Sequence, residues 1–183
     1  MKTPYNEIVN IASIGSQTNP ISLNEILRKA NDEQLTPAAQ NKERVLFLGI
    51  DVQQDFMDNG ALGVPGAHGD VERMTQFIYN NMDKITNIAV SIDTHTPHQI
   101  FHPCWWIDEN GNNPAPYTPI TLADLDSGKY KAVIYPRQSR DYVEHLEKDG
   151  KKTLCVWSYH CLQGTSGAAF ENQFANMIYF HSV

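Results

Sequence analysis

Two apolar runs, each ending at an acidic residue, dominate the first half of the sequence. Residues 44–51 form a nearly continuous apolar run that ends at Asp51, and a second apolar run, residues 85–92, again ends at an acid, Asp93. This pattern is typical of strands that are buried on both faces in parallel sheets. Between the runs, residues 70–83 place apolar side chains at helical spacing. The order strand, loop, helix, strand predicts a right-handed βαβ unit.

The second half continues the pattern with shorter segments. Residues 139–148 predict a helix that Ser139 caps and Gly150 closes. Residues 153–157 predict a third strand, and residues 177–180 predict a fourth. The sequence as a whole therefore predicts an α/β fold with a mainly parallel sheet flanked by helices.

A change in composition divides the chain into an extension, residues 1–43, and a domain, residues 44–183. The extension contains one predicted helix, from Leu23 to about Asn31, with a capping pattern that begins at Ser22. All the predicted strands lie in the domain. The chain ends directly after the fourth predicted strand, whereas complete domains usually end in polar residues. We therefore expect the domain to be incomplete at its C-terminus; the alternative is a short edge strand that closes a small sheet.

Composition and charge exclude several classes of protein. The 183 residues are 41% apolar and 19% charged, with a formal net charge of −7, which favours a folded domain over a disordered chain. An acidic chain without a basic stripe argues against nucleic acid as a partner. No apolar run approaches the roughly 18 residues of a membrane span. The N-terminus lacks the order of a signal peptide, and three cysteines are too few for a disulfide framework, so we expect a reducing, cytoplasmic location.

Polar side chains follow three of the four predicted strands. Asp51 ends the first strand, Asp93 and His95 end the second, and His160 follows the third. Ligands of open α/β sheets bind beyond the carboxyl ends of the strands. We therefore expect these side chains to converge at one edge of the sheet.

Asp93 and His95 are the most specific pair in this set. Residues two apart on an extended segment lie on the same face, so both can bind one ion. His98 and His102 follow in the next loop, and either can complete the set, unless these histidines are solvated loop residues. A carboxylate with imidazoles suits zinc, manganese or iron(II) better than calcium. The sequence therefore predicts a divalent metal, with zinc as the first expectation.

The catalytic groups are less clear from the residues alone. Asp51 is a candidate general base or a residue that orients one, although an acid at a strand end also caps turns. None of the three cysteines is placed as a nucleophile. Cys155 lies inside a predicted strand, Cys161 directly follows His160, and Cys104 lies in an aromatic loop.

Three motifs, in the right order, resemble the nicotinamidases among the isochorismatase-like cysteine hydrolases. They are Asp51-Val52-Gln53-Gln54-Asp55-Phe56 with Gly60-Ala61-Leu62 and Val64-Pro65-Gly66-Ala67, then Asp93-Thr94-His95, then Trp157-Ser158-Tyr159-His160-Cys161-Leu162-Gln163-Gly164-Thr165-Ser166-Gly167-Ala168. The resemblance covers residues 44–183, and the order of the motifs makes it specific.

The resemblance implies the isochorismatase-like hydrolase fold, in which a mainly parallel sheet is flanked by helices in three layers. It also implies a metal-binding enzyme that hydrolyses a small carboxamide, such as nicotinamide, to acid and ammonia. It implies that Asp51 activates a cysteine that forms an acyl-enzyme. It also implies that Phe56 and Trp157 contact a flat substrate ring. The metal ligands that it implies are Asp93, His95, His102 and His160.

The chain also departs from the family pattern. The family's nucleophilic cysteine follows the fourth strand by several dozen residues, and its lysine is expected near His181. We therefore expect the intact protein to be a C–N hydrolase and this chain by itself to be inactive.

Two alternatives remain: a metallohydrolase in which Asp51 is the base for water, and a metal-binding protein without catalysis. Nucleic acid and membrane partners are not expected, and a homo-oligomer is left open.

Overall fold

The computed structural model describes residues 1–183 and contains five α-helices and six short strands. In chain order they are α1 (Leu23–Glu33), β1 (Leu46–Gly49), α2 (Ala67–Asn80), β2 (Asn87–Val90), β3 (Trp106–Asp108), β4 (Pro119–Ile120), α3 (Leu122–Asp126), β5 (Tyr130–Ala132), α4 (Pro136–Lys148), β6 (Leu154–Cys155) and α5 (Asn172–His181). The chain forms two compact units: residues 1–94 with 164–183, and residues 95–163. None of the helices is both long enough and apolar enough to cross a membrane.

The first unit contains the predicted βαβ arrangement. β1 and β2 pair in parallel, and α2 lies between them in the chain. The register sets Phe47 opposite Ile88 and Gly49 opposite Val90. The apolar side chains of this face pack on the core of the unit. The prediction of a parallel pair at the start of the domain is therefore confirmed.

The opposite face of β1 is exposed, so the expectation of burial on both faces is wrong. Leu46, Leu48 and Ile50 are 60%, 56% and 66% exposed. Alternation along an extended strand places all three side chains on the same side. They form an apolar strip in contact with solvent.

The core of the first unit joins the N-terminal residues to α5. Ile8 and Ile26 are fully buried in one cluster with Phe174 and Met177. The ring of Phe174 also packs against β1, because a β-carbon placed on Gly49 would lie only 2.8 Å from the Phe174 Cζ atom. Residues from the 1–43 segment thus contribute to the same core as α5.

Residues 177–180 are helical, so the predicted fourth strand is wrong. They belong to α5, which starts after Glu171, whose side chain accepts hydrogen bonds at the helix N-terminus. Phe174, Met177 and Phe180 are all buried, and their spacing of three residues is helical rather than strand-like. A four-residue apolar run does not distinguish a strand from a buried helix. The three-residue spacing from Phe174 to Met177 and Phe180 was the signal in the sequence that indicated a helix.

The second unit contains two antiparallel strand pairs in place of a continued parallel sheet. β3 pairs with β5, and β4 pairs with β6. Only β6 of the predicted third strand forms a strand, and its partner, β4, lies in a segment for which no strand was predicted. Of the three strand pairs, only β1 with β2 is therefore parallel. The core of this unit includes Trp106, Ile120, Val143 and Val156.

Helix α4 begins three residues before the predicted start. Pro136 lies in its first turn, a position that suits proline. Ser139 is inside the helix, where its hydroxyl accepts a hydrogen bond from Trp105 Nε1 at 2.9 Å and donates to the Ile134 carbonyl at 3.1 Å. The prediction that Ser139 caps the helix is wrong, because this side chain anchors Trp105 instead.

Candidate metal centre and surrounding site

Three histidine side chains lie together in the second unit. The ring centroids are 4.7 Å apart for His95 and His160, 5.8 Å for His95 and His102, and 6.1 Å for His102 and His160. His102 and His160 are 0% and 5% exposed. Buried imidazoles that converge in this way are typical of metal ligands rather than of solvated loop residues.

A parallel β-bridge brings the rings of His95 and His160 together. His95 is paired with Leu162. The His95 N–H donates to the Cys161 carbonyl at 3.0 Å, and the His95 carbonyl accepts a hydrogen bond from the Gln163 N–H at 2.9 Å. The bridge holds the segment that starts at His95 beside the segment that contains His160.

Backbone hydrogen bonds determine which nitrogen of two rings faces the centre. His102 Nδ1 lies 3.0 Å from the Pro97 carbonyl oxygen, and His160 Nδ1 lies 2.7 Å from the Ser158 carbonyl oxygen. A carbonyl oxygen only accepts, so each Nδ1 is a donor. In the neutral ring the lone pair is then on Nε2.

His102 provides the clearest indication that the site fits a metal ion. Its Nε2 is buried and has no hydrogen-bond partner, which is costly for a polar atom unless a ligand satisfies it. Burial lowers the pKa of His102, and the neighbouring His95 and His160 lower it further. The neutral form that this favours is the form that binds metals.

Asp93 precedes His95 by two residues and adds a carboxylate to the donor set. One ligand atom each from Asp93, His95 and His160 lies within 4.8 Å of the other two. This combination of a carboxylate and imidazoles fits zinc, manganese or iron(II). His98, the alternative to His102 in the sequence, has an exposed side chain.

Gln53 positions the backbone of Asp93 and was not among the candidates predicted from the sequence. Its side-chain oxygen accepts a hydrogen bond from the Asp93 N–H at 2.7 Å. Its side-chain nitrogen donates to the Asp93 carbonyl at 2.9 Å and to the Ala168 carbonyl at 2.8 Å. Gln53 is fully buried. Its place after an apolar strand, within the first of the three motifs, was the available signal, and that signal does not identify the hydrogen-bond partner.

Asp51 and Phe56 lie in the first unit at a cavity of about 380 Å³ lined mainly by apolar side chains. Asp51 has a φ of 54°, a conformation that aspartate tolerates better than most residues. The Asp51 carboxylate accepts a hydrogen bond from the Ser91 hydroxyl at 2.6 Å. The backbone N–H of Asp51 donates to Oγ of Ser91 at 3.2 Å. Ser91 thus holds the Asp51 carboxylate after the end of β1.

Trp157 lies in the second unit and is 38% exposed. Its backbone N–H donates to the Phe101 carbonyl at 2.7 Å. The Tyr117 ring meets it edge to face at a centroid distance of 5.8 Å. Tyr117 was not among the site residues predicted from the sequence. An indole held at one edge can still stack one face on a flat ring.

The three cysteines all lie in the second unit, each in a different environment. Cys161 is fully buried. Burial raises the pKa of Cys155, which lowers its thiolate fraction. The Cys104 thiol donates a hydrogen bond to the Pro97 carbonyl at 3.1 Å.

No protein-family model and no curated protein matches this chain. Among solved structures, it is similar to a nicotinamidase and pyrazinamidase from Acinetobacter baumanii, with 20% identity, a TM-score of 0.43, and coverage of 73% of this chain and 47% of that chain. It is also similar to the yeast nicotinamidase Pnc1p bound to the inhibitor nicotinaldehyde, with 18% identity, a TM-score of 0.47, and coverage of 74% of this chain and 52% of that chain. The chain spans about half the length of these structures.

Proposed function

We propose that this chain is the metal-binding part of a nicotinamidase-type cysteine amidohydrolase, which converts a small carboxamide to the acid and ammonia. The observation that supports this most is the convergence of His95, His102 and His160, with the unpartnered Nε2 of His102 among them. The resemblance of three sequence motifs to that family supports the reaction class.

Zinc is the proposed ion, with manganese or iron(II) as alternatives that the same donors accept. The proposed ligands are Asp93, His95, His102 and His160. When bound, the ion supplies a Lewis acid that orients or polarises one edge of the substrate. The carbonyl groups of Pro97 and Ser158 orient two of the imidazoles, and Gln53 holds the Asp93 backbone.

Asp51 is the proposed proton acceptor for the nucleophilic thiol. Its hydrogen bonds with Ser91 fix the carboxylate, and a carboxylate has further lone pairs with which to accept a proton. Phe56, which shares a cavity with Asp51, and the exposed Trp157 are proposed to contact the flat ring of a substrate such as nicotinamide.

The nucleophilic thiol is proposed to come from outside these 183 residues. The buried Cys161, the raised pKa of Cys155 and the hydrogen-bonded thiol of Cys104 support this. We further propose that residues 44–183 belong to an isochorismatase-like domain with a three-layer parallel sheet, and that residues 1–43 are an extension of it. The exposed apolar strip on β1 supports a larger sheet.

A second candidate function is a metallohydrolase in which water is the nucleophile and Asp51 accepts its proton. The burial of Cys161 and the raised pKa of Cys155 favour it, because this mechanism needs no thiol. Ammonia release from nicotinamide distinguishes these two functions from each other and from a metal-binding protein without catalysis. The cysteine mechanism predicts background release by this chain alone. The water mechanism predicts release that a thiol alkylator leaves unchanged, and a non-catalytic metal protein predicts none even from the intact protein.

The metal site is tested by titrating the purified chain with Zn²⁺, using His102→Ala and His98→Ala as a matched pair. Wild type and His98→Ala are expected to bind one equivalent, because His98 is exposed. His102→Ala removes a buried donor, so its affinity is expected to fall at least about tenfold. Equal affinities of the two variants, or no stoichiometric zinc in the wild type, would contradict the proposal.

A further inference from the structure

The Thr96 N–H determines the orientation of the Gln99 side chain. Its Oε1 atom lies 2.9 Å from His95 Nδ1 and accepts a hydrogen bond from the Thr96 N–H at 3.2 Å. Because the Thr96 N–H can only donate, the Gln99 atom that it faces must be the amide oxygen and not the amide nitrogen. The amide of Gln99 therefore has one orientation that fits its surroundings.

The tautomer of His95 follows from that orientation. An amide oxygen only accepts, so His95 Nδ1 carries a proton, and the lone pair of the neutral ring is on Nε2. The same tautomer is imposed on His102 and His160 by backbone carbonyl groups. His95 differs because the group that determines its tautomer is a side chain, which a substitution can remove.

The backbone of Gln99 contacts the second ligand of the same loop. Its N–H donates to the Pro97 carbonyl at 3.2 Å, and its carbonyl accepts a hydrogen bond from the His102 N–H at 2.9 Å. The side chain of Gln99 thus forms a hydrogen bond with the His95 ring, whereas its backbone forms one with the backbone of His102. A side-chain substitution separates these two contacts.

We propose that Gln99 is a positioning residue that holds His95 in the tautomer with its lone pair on Nε2, so that the metal centre is formed before an ion binds. This inference rests on the metal centre proposed above. A hydrogen bond to the distal nitrogen of a ligating histidine fixes both the tautomer and the ring orientation, and removing it typically costs about 10- to 100-fold in metal affinity.

The test compares Gln99→Leu, which removes the acceptor, with Gln99→Glu, which keeps one. Gln138→Leu is the control, because Gln138 is an exposed glutamine of the same unit. Two quantities are measured. Nitrogen NMR of the metal-free protein, above the pH range in which histidine is protonated, reports which nitrogen of His95 carries the proton. Competition with a chromophoric chelator reports the affinity for Zn²⁺.

Wild type, Gln138→Leu and Gln99→Glu are expected to keep the proton on His95 Nδ1. Gln99→Leu is expected to show a mixture of tautomers and a zinc affinity about 10- to 100-fold lower, because the free energy that selects one tautomer is lost. An unchanged tautomer or an unchanged zinc affinity in Gln99→Leu overturns the inference. If the wild type binds no zinc while Gln99→Leu still changes the tautomer, the metal centre is overturned and the tautomer assignment is supported.

Discussion

Single side chains of this protein differ in how they are held at the candidate site. His102 and His160 are oriented by backbone carbonyl groups, whereas His95 is oriented by the amide of Gln99. Asp93 is held through its backbone, by Gln53. A centre held this way is fixed before any ligand arrives, so removing one donor should change the affinity for the ion more than the stability of the fold.

Substituting Asp51 by asparagine tests the role of the carboxylate after β1. Asparagine tolerates the positive φ of this position and can still accept a hydrogen bond from the Ser91 hydroxyl, so the fold should persist. An amide cannot take up a thiol proton, and ammonia release by the intact protein is expected to fall at least about 100-fold. Metal content should not change, because Asp51 is not a proposed ligand.

Turnover and bound zinc are measured on the same preparation of Asp51→Asn, with Asp83→Asn as a control on an exposed aspartate of the same unit. The control should match the wild type in both quantities. If Asp51→Asn loses its zinc, Asp51 is a ligand and its assignment as a proton acceptor is wrong.

The sequence predicted the chemically distinctive residues better than the residues that position them. Asp51, Asp93, His95 and His160 were expected to converge because each follows a predicted strand. Ligand atoms of the last three do lie together, and the convergence of Asp51 with them stays a prediction. Gln53 and Gln99 were not expected. An uncharged amide has no characteristic spacing in a sequence, and its role depends on a hydrogen-bond partner that only the folded chain brings near.

Among the elements, prediction succeeded where a pattern was long and failed where it was short. The pair β1 and β2 followed from two long apolar runs with a helical segment between them. α5 was mistaken for a strand because a four-residue run lacks a clear period. β6 was expected in the parallel sheet but pairs with β4. Strand pairing depends on contacts distant in sequence, which local pattern does not report.

Helix α5 depends on an unusual cap. Glu171 is fully buried, and its carboxylate accepts hydrogen bonds from the N–H groups of Gln173 and Phe174, both at 2.8 Å, and from the Gly15 N–H at 3.1 Å. One side chain therefore joins the start of α5 to the N-terminal segment. A buried carboxylate in this position couples the stability of the first unit to pH.

The sign of that coupling follows from the pKa of Glu171. Burial raises this pKa above its ordinary value of 4.5, although the backbone hydrogen bonds and His68 oppose the shift. The folded chain therefore binds the proton more tightly than the unfolded chain. The stability that the group contributes below pH 4.5 is lost as the pH rises through the raised pKa.

Glu171→Gln removes this titration, so its free energy of unfolding is expected to fall less than that of the wild type as the pH rises through this range. Urea unfolding at a series of pH values measures the difference. Glu109→Gln, on an exposed glutamate, should follow the wild type. Parallel profiles for Glu171→Gln and wild type would show that the buried carboxylate does not titrate differently in the two states.

For the whole molecule, the sequence predicted an extension followed by one domain, and the structure groups the residues by contact into two units. Residues from the 1–43 segment share a core with α5, and residues 164–183 return to the first unit after the chain has built the second. Composition and local periodicity describe neighbours in the chain. They do not report which distant segments meet, so this grouping was beyond what the sequence could predict.

Binding of a divalent ion by the imidazoles of the second unit is tested by X-ray absorption at the zinc edge on the zinc-loaded chain. The proposed coordination predicts a first shell of nitrogen and oxygen at about 2.0–2.2 Å, with outer scattering from three imidazole rings. It also predicts one ring fewer in His102→Ala. A sulfur scatterer at about 2.3 Å, or a shell without imidazole, would contradict it, because the ion would then be held by cysteine or by adventitious groups.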